Sequence, residues 1–259
     1  YKGEPYGPHY GLGDRVSDYV LYDPWLEYSW PAPPPTIKVE PQLVEARLLN
    51  KTFSVNVTIN NLSVGYKVVC IQFRLSYNDT LLEVINVTEG PFMKDPRWNL
   101  YGTLFIYFVE SDPIYGPNIA ICVLLYPNET GYWDAFPSGS GVIATITFKA
   151  IYQERGLEKA PLISNLTLTD TLLVDSETNI VPHDAESGVY SIYPTSIGDI
   201  NYDGKVNGFD LTLVAWSFGS YPEHGRWNPM CDLNGNNKID GQDLVLVARA
   251  FGWAVIEDP

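Results

Sequence analysis

Two twelve-residue stretches near the C-terminus, Asp199 to Asp210 and Asp232 to Asp243, carry oxygen-bearing side chains at matching places. Donors at loop positions 1, 3, 5, 9 and 12 wrap a calcium ion, and the backbone carbonyl of position 7 completes the set. In the first loop the expected ligands are Asp199, Asn201, Asp203, the Lys205 carbonyl, Asn207 (directly or through water) and Asp210. In the second they are Asp232, Asn234, Asn236, the Lys238 carbonyl, Asp240 and Asp243. Neither set contains His or Cys, and hard oxygen donors select Ca2+ over zinc or copper. One acidic, Asn-rich loop is an ordinary solvated turn. Two in register, 33 residues apart, predict two bound calcium ions.

The elements around these loops follow from the same residues. Position 6 must turn with positive φ, which Gly204 does freely and Asn237 tolerates best among other residues. Each loop runs into an apolar helical stretch, first Leu211, Leu213, Val214, Trp216 and Phe218, then Leu244, Leu246, Val247 and Phe251. Gly219 and Gly252 follow as helix C-cap glycines. Both loops end in Asp at position 12, where an EF-hand has Glu. This duplicated loop–helix unit, without an entering helix, resembles a type I dockerin over residues 197–253. The resemblance implies calcium-dependent docking into a receptor domain, with partner choice influenced by positions 10 and 11. Those pairs are Gly208-Phe209 and Gly241-Gln242, a departure from the polar pairs common in the family, and Phe209 is the expected contact residue.

Composition narrows the setting. A net charge of −15 argues against nucleic acid and anionic membrane surfaces as partners. No apolar run is long enough for a membrane span. Seven Asn-X-Ser/Thr sequons occur, at Asn50, Asn56, Asn61, Asn78, Asn86, Asn128 and Asn165, against about two expected by chance. They predict N-linked glycans and an extracellular or cell-surface location. A start at Tyr1 fits a mature secreted product. The sequon load, with scarce Met and Gln, points to a thermophilic archaeal source. Cys70 and Cys122 fall on separate expected strands and pair if those strands are neighbours; Cys231 is either a buried thiol or an inter-chain link.

Residues 36–193 read as all-β. Phe53, Val55, Val57 and Ile59 alternate with polar residues, as do Ile71, Phe73, Leu75 and Tyr77, and further runs begin at Val142 and Asn165. Gly/Pro/Asn turns separate about eight or nine such strands, the pattern of a β-sandwich. The stretches Phe53–Leu62, Ile71–Asp79, Leu82–Phe92, Gly139–Lys149 and His183–Tyr190 resemble a cohesin, the receptor domain for dockerins. Two strands, Thr103–Val109 and Ile119–Tyr126, are apolar on both faces, so their outer face requires a cover. In cohesins the corresponding strands belong to the sheet that receives the dockerin, which implies a partner surface around Phe105, Tyr107, Cys122 and Leu124. The alternative cover is the N-terminal segment, rich in Tyr and Trp, whose Arg15–Tyr22 stretch suits addition to a sheet edge of its own or a neighbouring chain.

The expected organisation is an aromatic, Pro-rich extension (1–35), a cohesin-like β-sandwich (36–195) and a small α-helical dockerin-like calcium module (196–259). No catalytic constellation stands out: His9, His183 and His224 lie apart, outside any hydrolase or phosphate-loop motif. The expectation is a non-enzymatic structural glycoprotein that assembles head-to-tail with copies of itself. The alternative is an adaptor or adhesin that binds another cohesin- or dockerin-bearing protein or a polysaccharide. A third possibility is a module packed on its own sandwich as an intramolecular calcium staple.

Overall fold

The computed structural model describes residues 34–156 and 159–255. Eleven strands and two α-helices occur among them. The strands are β1 (Thr36–Glu40), β2 (Leu43–Ala46), β3 (Thr52–Leu62), β4 (Val68–Ser76), β5 (Leu82–Glu89), β6 (Thr103–Asp112), β7 (Gly116–Leu125), β8 (Gly139–Ala150), β9 (Leu162–Asp175), β10 (Asp184–Glu186) and β11 (Gly188–Ile192). The helices are α1 (Gly208–Ser217) and α2 (Gly241–Ala250). One sheet has the order β10-β1-β3-β8-β5 and the other β2-β11-β9-β4-β7-β6.

The strand count exceeds the sequence expectation because the first and last strands each cross from one sheet to the other. β1 pairs in parallel with β10 in the first sheet, and β2 pairs in parallel with β11 in the second. Pro41 interrupts the first of these strands, since it offers no N–H to a ladder. Gly188 permits the second crossing: a Cβ there would lie 2.7 Å from Val39 Cγ1. The two crossings stitch the sheets together along one side of the sandwich.

Alternation puts the core where periodicity predicts. Val55, Val57 and Ile59 from β3, Ile71, Phe73 and Leu75 from β4, and Ile146 and Phe148 from β8 are fully buried. Phe53 stacks on Tyr190 with ring centroids 4.6 Å apart. Burial pushes the Tyr190 phenol well above its usual range, and its hydroxyl has no hydrogen-bond partner among the described residues. Trp98 is anchored by its indole N–H, which donates to the Phe92 carbonyl at 2.9 Å.

The C-terminal module has its own small core of Ile200, Val206, Val214, Cys231, Ile239 and Val247. Cys231 is fully buried there, which removes it as an inter-chain link. Sandwich and module belong to one compact unit beginning at Pro34. The aromatic segment proposed to cover or extend a sheet lies outside the described residues. Among the described residues no helix is long and apolar enough to cross a membrane.

Candidate calcium loops and docking surfaces

The two loops are built alike, residue for residue. Asp199 Oδ1 and Oδ2 accept from the N–H groups of Asp203 (3.1 Å) and Gly204 (3.0 Å). Asp232 does the same for Asn236 (3.1 Å) and Asn237 (2.8 Å). At the other end Asp210 accepts from Ile200 N (2.8 Å) and Asn207 N (2.9 Å), and Asp243 accepts from Leu233 N (2.8 Å) and Asp240 N (2.9 Å). Asn207 and Asp240 are the N-caps of α1 and α2, and each closes a capping box with the Asp three residues on. One carboxylate thus terminates the loop and starts the helix. Gly204 (φ 82°) and Asn237 (φ 62°) make the expected left-handed turn at position 6.

Neither loop is complete without the other half of the module. Val206 exchanges backbone hydrogen bonds with Gly252 and Trp253, the residues that follow α2. Ile239 exchanges them with Gly219 and Ser220, which follow α1. Gly219 (φ 78°) and Gly252 (φ 87°) adopt the left-handed conformation that this return requires.

The donor set suits calcium. Asp199, Asp210 and Asp243 are fully buried, and no Lys or Arg forms an ion pair with any of them or with Asp232 among the described residues. Burial foremost pushes the Asp199 carboxyl above its ordinary range, and the charges of Asp210 and Asp203 add to the rise. Hydrogen bonds from Thr195 and Gly204 oppose it. A buried anionic group without a cationic partner is costly, and a divalent cation relieves that cost. Among the described residues no three His, Cys, Asp or Glu side chains converge as a metal cluster by themselves. The side-chain oxygens of Asn201, Asn207, Asn234 and Asn236 and the carbonyls of Lys205 and Lys238 are the donors that would complete each loop.

The first loop is also held against the sandwich. Arg155 stacks over the Tyr202 ring at 5.1 Å, donates from Nε to the Tyr202 hydroxyl (3.2 Å), and donates from Nη1 to the Met230 carbonyl (2.7 Å). Gly204 is so close to Leu48 that a Cβ would overlap its side chain. Sequence reasoning missed Arg155, Tyr202 and Leu48, because contacts between modules leave no local pattern.

The expected interface residues separate into two faces. Cross-strand partners share a face of a sheet. Phe105 stands opposite the buried Val123, and Tyr107 opposite the buried Ile121. Phe105 accordingly packs against the sandwich core rather than beside Cys122 and Leu124, which corrects that grouping. The outer face instead carries Leu104, Ile106 and Phe108 from β6, opposite Leu124, Cys122 and Ala120 of β7. Phe108 is 62% exposed. Arg74 of β4 sits at the edge of this apolar set, paired with Glu110 and Asp170. On the module, Phe209 is 73% exposed on α1. Trp216, part of the apolar helical stretch in the sequence, is 72% exposed and lies two turns beyond Phe209 on the same face. Their seven-residue spacing was the available signal.

All seven sequon asparagines reach the surface, with Asn50, Asn61, Asn78, Asn86 and Asn165 exposed and Asn56 and Asn128 half-buried. At Asn78 and Asn128 the side-chain oxygen accepts from the hydroxyl of the sequon threonine, Thr80 and Thr130, at 2.7 Å each.

Comparisons with known proteins agree with this layout. A model of the cohesin domain matches residues 37–188, and a model of the dockerin type I domain matches residues 197–252. No curated protein sequence matches the chain. Among solved structures, a non-cellulosomal cohesin from the hyperthermophilic archaeon Archaeoglobus fulgidus is 24% identical and covers 61% of this chain and 91% of its own, with a TM-score of 0.44. A cohesin–dockerin complex from Clostridium thermocellum gives 15% identity, 62% and 95% coverage and a TM-score of 0.48. A cohesin from Clostridium acetobutylicum gives 20%, 62%, 92% and 0.45.

Proposed function

Because this chain belongs to the cohesin family and carries a dockerin type I domain after its cohesin domain, we propose that it is a structural protein that joins copies of itself head-to-tail. The two domains imply cohesin–dockerin interaction and a structural or adaptor role. The observation that carries the self-assembly reading is the pairing of two exposed apolar surfaces on one chain. One is the outer face of β6 and β7, with Leu104, Ile106 and Phe108. The other is the Phe209–Trp216 face of α1. Such surfaces on soluble proteins mark interaction sites. Aromatic residues are the usual anchors of an interface. A receptor and a plug on one chain make a heterologous contact, which closes into a ring or extends as a filament.

Two calcium ions, one per loop, would hold the plug in shape. Asp199, Asp210, Asp232 and Asp243 would fix the loop ends around them, and the calcium charge would offset the buried carboxylates. The exposed sequons support N-glycosylation of the sandwich and an extracellular location.

Negative-stain electron microscopy of the purified chain, with calcium and after EGTA, tests the proposal. Filaments or rings that dissolve on chelation are the expected result. Monomers under both conditions would overturn it and favour an adaptor that docks with a different cohesin- or dockerin-bearing protein. The hold of Arg155 on Tyr202 and Met230 supports a further role for calcium, as an intramolecular staple that fixes the module against its own sandwich. The two roles are compatible, since Phe209 and Trp216 stay exposed while Arg155 is engaged.

A further inference from the structure

Cys70 and Cys122 lie on neighbouring antiparallel strands, one diagonal step apart. Cys70 stands opposite Leu124, and Cys122 stands opposite Gln72. Both side chains point to the outer face, because the flanking Ile71, Ile121 and Val123 fill the core. Their Sγ atoms are 3.7 Å apart, and both residues are half-buried free thiols. A groove of about 220 Å3, lined by Gln72, Arg74, Ile106, Phe108, Ala120 and Cys122, opens beside the pair. It gives a small molecule a route to Cys122 from solvent.

We propose that Cys70 and Cys122 form a reversible dithiol–disulfide site, oxidised by a small-molecule disulfide that enters through this groove. The Cys122 thiolate attacks one sulfur of the reagent, which leaves a mixed disulfide on Cys122 and releases one small thiolate. Cys70 then gives its proton to solvent, and its sulfur attacks Cys122 Sγ and displaces the second small thiolate. Two protein thiols lose two electrons in total, and one small disulfide is reduced to two thiols.

The assignment of roles has a physical basis. The hydrogen bond with Cys70 lowers the Cys122 thiol to about 7, while the same bond and burial push Cys70 up. Cys122 is therefore the nucleophile and Cys70 the resolving group. Reversibility follows from the diagonal placement. Diagonal neighbours across a sheet stand about 7–8 Å apart. Disulfides span Cα separations of roughly 4.4–6.8 Å. Closing the bond therefore draws β4 and β7 together, and a strained disulfide is the more easily reduced kind. Cys231, sealed in the module core, serves as an internal control.

The experiment treats the full, calcium-loaded chain with oxidised glutathione, then unfolds it in denaturant, counts thiols with a maleimide and maps peptides without reduction. Three thiols should fall to one, a Cys70–Cys122 cross-linked peptide should appear, and dithiothreitol should restore all three. In Cys70→Ser the glutathione should remain on Cys122 because nothing resolves it. A lasting glutathione adduct on the wild-type chain would overturn the proposal, as would three unreacted thiols in the folded protein. Failure of Cys70→Ser to retain an adduct would overturn the assigned order of attack.

Discussion

Thr195 Oγ1 donates a 2.7 Å hydrogen bond to Asp199 Oδ2, and both residues are buried. Thr195 is in turn bridged to Arg155 at the edge of the sandwich. The first carboxylate of the first candidate calcium loop is thus positioned by a residue that the sandwich holds. Thr195→Val keeps the side-chain shape and removes the donor. A net hydrogen bond contributes about 1 kcal/mol, so calcium affinity at this loop should fall about fivefold. Calorimetric titration of the variant would check this; unchanged affinity would detach Thr195 from the site.

The raised Asp199 carboxyl sets a pH dependence for the calcium-free chain. A carboxyl whose folded-state value exceeds its unfolded value favours the native state when protonated. That contribution is fully present below the unfolded value and is lost as pH rises through the folded value. In EGTA, therefore, the melting temperature of the module should fall as pH rises through and above the ordinary carboxylate range. With saturating calcium the trend should reverse, because protons then compete with the ion. A calcium-free melting temperature that climbs with pH would contradict the account.

Phe209→Ala and Trp216→Ala should each weaken assembly by about 2 kcal/mol if they anchor the contact, while leaving calcium binding intact. Phe108→Asp, on the opposite surface, should block assembly from the receptor side. Mixing Phe209→Ala chains with Phe108→Asp chains should yield dimers that cannot extend, each pair using its one remaining intact receptor and plug. Sedimentation velocity distinguishes these outcomes, and unimpaired polymers in all three variants would remove both surfaces from the interface.

Arg155→Ala removes a stacked, hydrogen-bonded guanidinium and leaves the Met230 carbonyl without that donor. The expected cost is about 1–3 kcal/mol, felt as easier separation of module from sandwich. Hydrogen exchange should accelerate around Thr195 and Tyr202 and stay unchanged in the sandwich core near Phe73 and Phe148. Protection equal to wild type would show that Arg155 holds nothing.

Alkylation of Cys122 should speed up as pH rises through about 7, the value set by its hydrogen bond with Cys70. Cys231, whose thiol burial raises, should stay unreactive across the same range. Mass spectrometry of iodoacetamide-treated chain reads both sites at once. A single reactivity profile shared by all three thiols would show that the pair is not coupled.

Much of this molecule was legible in its sequence for identifiable reasons. The paired twelve-residue loops show through because each candidate donor is fixed by its place in a single turn. Strands such as β3 and β4 show through because one buried face forces alternation. The exposed face was harder to read. Where both sides of β6 and β7 are apolar, alternation cannot say which side is the core, and Phe105 was grouped with Cys122 although the register sets them on opposite faces. The exposure of Trp216 was hard to read for a related reason: α1 is apolar nearly all round, so its buried stripe carries no contrast. Arg155 and Tyr202 are 47 residues apart, and their contact depends wholly on how the module meets the sandwich.

The connection between the two domains has a mechanical meaning. The Tyr193 carbonyl is held by Gln153 Nε2 at 2.6 Å, Thr195 by its bridge to Arg155, and Asp199 by Thr195. The short run from the last strand to the first loop therefore has little slack. Tension applied at the plug would reach the sheets directly, and twisting the plug would strain the Arg155 contacts. Units joined through such a connection would transmit torque along a fibre, so stiffness would be set at the contacts between copies rather than inside each one.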